Sequence, residues 1–175
     1  SGMSELAMDF SQTAEDTLHG KYLTYMLDEE CYGMEISYIT DIIQMQPIAT
    51  LPEVKRYLKG IINLRGEIIP VMDVRLRFGK PEIGYTERTC VIVARTGQLC
   101  VGLIVDSVCE VIQIADESIA QPPRINSSSN RFIKSIGKVG QEIKLLLDFE
   151  KLVADDEFEN VARTEAAHQE AANDA

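Results

Sequence analysis

YGMEISYITDII (residues 32–43) aligns without gaps on VGLIVDSVCEVI (101–112), pairing Gly33 with Gly102, Met34 with Leu103, Ile36 with Val105, Ile39 with Val108 and Asp41 with Glu110. A second match sets EIIPVMD (67–73) on EIKLLLD (142–148), each followed by a helix-like, Leu-containing segment. The two matches keep the same order at offsets that differ only by a loop's worth of residues, so one duplication explains both. The implied unit is small, which points to two related β-barrels in one chain with a groove between them where a partner can dock. Asp73 and Asp148 close their strands where a helix cap is wanted, because a carboxylate accepts from the orphan N–H groups of a first turn.

Outward from these repeats, the chain from Lys21 onward reads as short apolar segments cut by turn signals, the pattern of a mainly β protein with a few helical turns. Tyr22 to Leu27 and Cys31 to Ile36 form one hairpin about a polar Asp28-Glu29-Glu30 turn. Ile36, Ile39 and Ile43 recur at helical spacing and predict a short helix. Glu53 to Leu58 predicts a second, starting after Pro52 and ending before Gly60, where positive φ favours glycine. Gly60 to Leu64 and Glu67 to Met72 flank a tight Arg65-Gly66 turn, and Pro70, which lacks a ladder donor, predicts an edge or bulge. After a polar linker, Lys80 to Arg88, strands are expected at Thr89–Arg95, Gln98–Val105 and Val108–Ile114, then a helical turn at Asp116–Ile119 and a loop at Gln121–Asn130. A final hairpin, Phe132–Val139 with Glu142–Leu147, leads into a helix near Asp148.

Charge is uneven along the chain. Of the net −11, residues 1–20 contribute −4 and residues 154–175 contribute −6, leaving −1 for residues 21–153. The expected organisation is therefore an acidic N-terminal segment (1–20), a folded body (21–153) and an acidic tail (154–175), with Ser1-Gly2 ahead of Met3 reading as a tag remnant. A near-neutral body with acidic ends lacks the basic footprint that a phosphate backbone requires, which argues against nucleic acid as a partner. No apolar run reaches the roughly 20 residues of a membrane-spanning helix, so a cytoplasmic protein without membrane insertion is expected.

The residues of chemistry are scarce. His19 and His168 lie in the polar ends, and Cys31, Cys90, Cys100 and Cys109 form no CxxC pair and sit among apolar neighbours, as small core hydrophobes do. Phosphate-binding, dinucleotide, nucleophile-elbow and zinc-helix motifs do not occur, and the carboxylate pair Asp155-Asp156 falls in the expected solvated tail. The expectation is binding rather than catalysis, with no catalytic residue, metal or cofactor. The one catalytic alternative, a Cys nucleophile at Cys31 or Cys100, needs an exposed thiol of depressed pKa.

LKGIINLRGEIIPVMDVRLRFG (58–79) resembles the signature region of the CheW family of chemotaxis coupling proteins. YLTYMLDEECYGMEI (22–36), CVIVARTGQLCVGLIVDSV (90–108) and LLLDFEKLV (145–153) resemble successive segments of that family in the same order, so the likeness runs from Lys21 to Val153. It implies a mainly β fold of two intertwined five-stranded SH3-like barrels with short helices and a C-terminal helix. It also implies a scaffold that binds the regulatory domain of the histidine kinase CheA and the cytoplasmic tip of a chemoreceptor, in membrane-associated arrays. Carried over by position, receptor contact falls on Asn63, Arg65 and Gly66 and on the groove residues Ile39, Val105 and Val108. The resemblance further marks Asp41 and Gly60 as interaction-sensitive.

An exposed Arg65 suits this reading, since a guanidinium at a turn tip offers five fixed donors to carboxylates or helix C-terminal carbonyls. Its bland alternative is a surface pair with Glu67 or Glu35. A CheW-like module of a CheV-type adaptor or of a kinase regulatory domain is the near alternative; the acidic tail, without receiver or ATPase motifs, favours a free-standing protein.

Overall fold

The computed structural model describes residues 17–123, 130–155 and 161. Most of the expected acidic N-terminal segment, the middle of the 121–130 loop, Asp156, His168 and nearly all of the acidic tail lie outside the described residues.

The elements follow in the order β1 (Lys21–Leu27), β2 (Glu30–Glu35), a 3-10 turn (Ile36–Tyr38), β3 (Ile39–Gln44), β4 (Leu58–Leu64), β5 (Glu67–Asp73) and α1 (Val74–Arg77). The second half follows with β6 (Cys90–Thr96), β7 (Leu99–Val105), β8 (Ser107–Gln113), a 3-10 turn (Asp116–Ser118) and β9 (Ile119–Ala120). A 3-10 turn (Asn130–Phe132), β10 (Ile133–Val139), β11 (Glu142–Leu147) and α2 (Phe149–Leu152) complete it. The two sheets are ordered β8-β1-β2-β11-β10-β9 and β3-β6-β7-β5-β4.

Exchanging the halves turns one order into the other. With β1 matched to β6, β2 to β7, β3 to β8, β4 to β10 and β5 to β11, the two sheets have the same sequence of neighbours, and the Ala49–Ile61 bridge corresponds to the Ala120–Ile136 pair of β9 and β10. Each sheet mixes strands from both halves. The two crossings are the parallel pairs β2·β11, where Gly33 faces Leu146, and β5·β7, where Gly102 faces Val71. Both glycines are needed for packing: an added Cβ would come within 2.9 Å of Leu146 at Gly33 and within 2.9 Å of Val91 at Gly102. The fold is thus the duplicated, mainly β pair that the repeats imply, intertwined as the family resemblance implies. Its backbone ladders leave each sheet open at the ends, however, so the expected five-stranded barrels are open sheets of six and five strands.

Strand alternation divides the core. Leu23, Tyr25 and Leu27 of β1, Ile92 and Ala94 of β6, and Val101, Leu103 and Val105 of β7 enter one large central cluster. Val91, Val93, Cys100 and Ile104, which point the other way, form a second cluster with Ile62, Ile69 and Val71, while Tyr22, Ile114 and Leu146 make a third. A file of rings, Tyr25, Tyr32, Phe78 and Phe132, runs through the central cluster with centroids 5.3–5.6 Å apart. Such contacts add to burial because the ring faces and edges carry opposite partial charge. Asp73 and Asp148 cap α1 and α2 as expected, accepting from Leu76 N at 3.2 Å and Lys151 N at 3.0 Å.

Five expectations are corrected. Residues 39–44 form strand β3, not helix: Ile39, Asp41 and Ile43 are half-buried and alternate with exposed Thr40, Ile42 and Gln44. Residues 53–57 hold turns without a helix, with Glu53 at φ 56°. Gly60 therefore ends no helix; it lies in β4 at φ 146°, where a Cβ would stand 2.1 Å from the Ala49 carbonyl oxygen. Pro70 lies in the interior strand β5, but the ladder to β7 begins one residue later at Val71, so no pair of that ladder is lost. Asp155, expected in solvated tail, is 9% exposed and accepts hydrogen bonds from Lys55 Nζ at 2.7 Å and from the Tyr57 hydroxyl. Val161 packs against the central cluster as well.

Candidate functional site

Four hairpins have two-residue turns, and the first turn residue has positive φ in each: Asp28 (56°), Arg65 (52°), Gly97 (59°) and Gly140 (61°). The cause is strand twist, which the mirror-image turns match and ordinary ones do not. Gly or Asp meets this requirement at little cost; an arginine does not. At the β4–β5 turn both residues are left-handed, with Gly66 at φ 88°, and Asn63 Oδ1 accepts from Gly66 N at 2.8 Å to brace the turn.

From this turn Arg65 reaches back to β3. Its Nη2 donates to Asp41 Oδ1 at 2.9 Å, and 70% of its side chain remains exposed, so most of its donors face solvent. Beside it Arg95 Nη2 donates to both oxygens of Glu67, at 2.8 and 2.7 Å, and this hydrogen bond raises the Arg95 pKa. Glu35, the other partner considered for Arg65, is instead bonded by Lys134. The two ion pairs wall a hollow of about 260 Å³ with Thr40, Leu64 and Val93.

The structure thus gathers Asp41, Asn63, Arg65 and Gly66 at one exposed corner. Ile39, two residues before Asp41, and Val108, its counterpart in the second half, are both half-buried against the central cluster. Val105 is different: at 1% exposure it is core and offers no surface to a partner, contrary to its expected place among the contact residues. Gly60 lies near the other end of β4 from this turn, packed against residues 48–49, and the structure does not bring it to the corner. The Asp41–Arg65 and Glu67–Arg95 pairings had no signal in the sequence, because each joins residues more than twenty positions apart.

A second cluster lies on the opposite flank. Arg75, whose side chain is 5% exposed, donates from Nη1 to Asp28 Oδ1 at 2.5 Å and Asp106 Oδ2 at 2.9 Å, and from Nε to the Pro81 carbonyl at 3.2 Å. This cation ties the β1–β2 turn, the β7–β8 turn and the 80–88 linker to α1. Its hydrogen bond holds the Asp28 carboxyl below the usual range.

Thiol chemistry finds no support in the geometry. Burial pushes Cys100 up to about 11 and raises Cys31, the reverse of what a nucleophile needs. Among the described residues, no group of three His, Cys, Asp or Glu is placed to hold a metal ion, and no helix is long and apolar enough to cross a membrane.

Comparisons agree with this architecture. The CheW-like domain family matches residues 21–157. The chain is 31% identical over 158 residues to the chemotaxis protein CheW of Klebsiella aerogenes, covering 88% of this chain and 95% of that protein. It is 32% identical over 135 residues to CheW of Bacillus subtilis, covering 77% and 85%. The crystal structure of the scaffolding protein TtCheW from Thermoanaerobacter tengcongensis superposes with a TM-score of 0.73 at 33% identity, covering 78% of this chain and 94% of that one. With fold and sequence in accord over most of its length, the chain belongs to the CheW-like domain family.

Proposed function

We propose that this protein is a chemotaxis adaptor that couples transmembrane chemoreceptors to the regulatory domain of the histidine kinase CheA, by binding alone and without catalysis. The observation that carries this reading is Arg65. An arginine occupies a left-handed turn position where the three sister hairpins have Gly or Asp, and strain kept at an exposed position is a mark of use. The receptor-facing surface consists of Asn63, Arg65 and Gly66 with the groove residues Ile39 and Val108 of the two halves, and Val105 supports it from the core. Asp41 orients the guanidinium and Gly60 admits the close approach of residues 48–49 to β4, which makes both interaction-sensitive without requiring direct contact.

Family membership and the likeness to proteins named for chemotaxis and scaffolding support the same reading. The protein acts in the cytoplasm and is recruited to receptor arrays at the membrane through these contacts. The CheV-type alternative gains nothing from the structure.

Calorimetric titration of the full chain tests the proposal, first with the isolated regulatory domain of the cognate kinase and then with a receptor cytoplasmic hairpin. Saturable binding near one to one is expected with each, and Arg65→Glu should weaken the receptor titration while leaving the kinase titration unchanged. Absence of binding to both partners, with all proteins folded, overturns the reading.

A further inference from the structure

The duplication gives the Arg65 hollow a counterpart in the other half, and the counterpart has a different chemistry. Matching the copies sets Asp41 on Glu110, Glu67 on Glu142, Arg65 on Gly140 and Arg95 on Met26. Both arginines that fill and neutralise the first hollow are therefore missing from the second. The result is a hollow of about 700 Å³, against about 260 Å³, lined by Met26, Glu110 and Glu142 together with residues of β2 and β11.

Half-buried Met26, Cys31 and Leu145 form its apolar side, and Ile143 stands on its rim with 60% of its surface exposed. Around them lie four carboxylates, Glu29, Glu30, Glu110 and Glu142, against Lys144, whose Nζ already donates to Glu142 at 2.8 Å. An apolar floor inside an acidic rim is complementary to a cation carried next to an apolar side chain.

We propose that this hollow docks a basic protein segment that presents an Arg or Lys beside an aliphatic side chain. The cation meets Glu110 and Glu29, and the aliphatic group covers Ile143 and Met26. A second copy of this chain is the poorer occupant, because two copies that each carry a net charge of −11 repel one another. The hollow is built by the other sheet from the Asp41–Arg65 corner, with Val108 preceding its Cys109 and Glu110 on β8, and the proposal does not depend on the chemotaxis reading.

The test is nuclear magnetic resonance mapping on the isotope-labelled full chain, titrated with the peptide acetyl-Ala-Arg-Leu-Arg-Ala-amide. Shifts should concentrate on Met26, residues 29–31, Glu110 and Ile143. The analogue with Glu for Arg should give none, and the double variant Glu110→Lys, Ile143→Ser should bind about tenfold more weakly with the rest of its spectrum unchanged. Because these side chains are exposed and the Thr24–Glu110 hydrogen bonds use only the Glu110 backbone, the variant keeps its fold. Shifts scattered over the acidic surface, or equal binding by the variant, overturn the proposal. So does movement of the same signals with protein concentration alone, which would make a second copy the occupant.

Discussion

Arg65 and Asp41 join the two ends of one sheet: β3 and β4 are the terminal strands of the order β3-β6-β7-β5-β4, yet the guanidinium on the β4–β5 turn lies 2.9 Å from the carboxylate on β3. The backbone ladder is open between these strands and a side-chain pair spans the gap. An exposed pair of this kind contributes only about 0–1 kcal/mol to stability. Asp41→Asn should therefore leave the melting temperature nearly unchanged while lowering receptor affinity, because the guanidinium loses its orientation. Equal losses in calorimetric melting and in receptor titration would make the pair structural.

Arg65→Gly separates strain from binding. Glycine accepts φ 52° without a Cβ clash, so stability should stay level or rise by up to about 1 kcal/mol in denaturant titration. Receptor affinity should fall nonetheless. A variant that is both less stable and weaker in binding would contradict the account of the turn.

Gly60 and Gly66 should respond unequally to alanine. At Gly66 the added methyl meets nothing within 4 Å and the cost is backbone conformation alone, about 1 kcal/mol. At Gly60 it would strike the Ala49 carbonyl, and overpacking against backbone adds about 1–3 kcal/mol more. Thermal unfolding of the two variants should rank them in that order.

Arg75 is a nearly buried cation with two carboxylates and a carbonyl around it. Arg75→Met leaves Asp106 without its cation and Asp28 with only Lys80 Nζ, 3.5 Å away, so stability should fall, by less than the roughly 3–5 kcal/mol of a fully buried pair because Asp28 is half exposed. The pH profile carries a second signature. Because Asp28 titrates below its unfolded value of 3.8, its contribution is fully present above that pH and is lost as the pH falls through the lower folded value. The variant should lose most of this acid-side dependence, with Lys80 keeping the remainder, measurable as flatter stability-versus-pH curves below about pH 4.

Thiol labelling of the folded protein near neutral pH should modify Cys109 first, since it is exposed while Cys100 is buried with its pKa pushed to about 11. Mass spectrometry of the labelled peptides gives the order. Early reaction at Cys100 would reopen a nucleophilic role.

The hairpins were legible in the sequence because their signals are local: turn residues between short apolar runs, and an Asp at each helix start. The misreadings have physical causes. Ile39 and Ile43 are four apart, an even spacing that suits one face of a strand as well as one face of a helix, and tertiary pairing with β6 decided it. Pro52-Glu53 opens a turn, and nothing local told that turn from a helix start. Duplication could be read from the repeats, whereas the reciprocal pairings of β2 with β11 and β5 with β7 could not, since each joins distant segments. The candidate corner was named by resemblance; its ion pairs, and the burial of Val105 and Asp155, needed the fold.

The reciprocal strand exchange also sets when the protein can exist at all. Because β2 has β11 as its neighbour and β5 has β7, the first half cannot complete its own sheet as it leaves the ribosome and must wait until residue 147 has emerged. Contacts of such long sequence separation slow folding, and they make the two halves one cooperative unit. A cut in the 80–88 loop would yield not two small domains but two complementary fragments, each unfinished without the other.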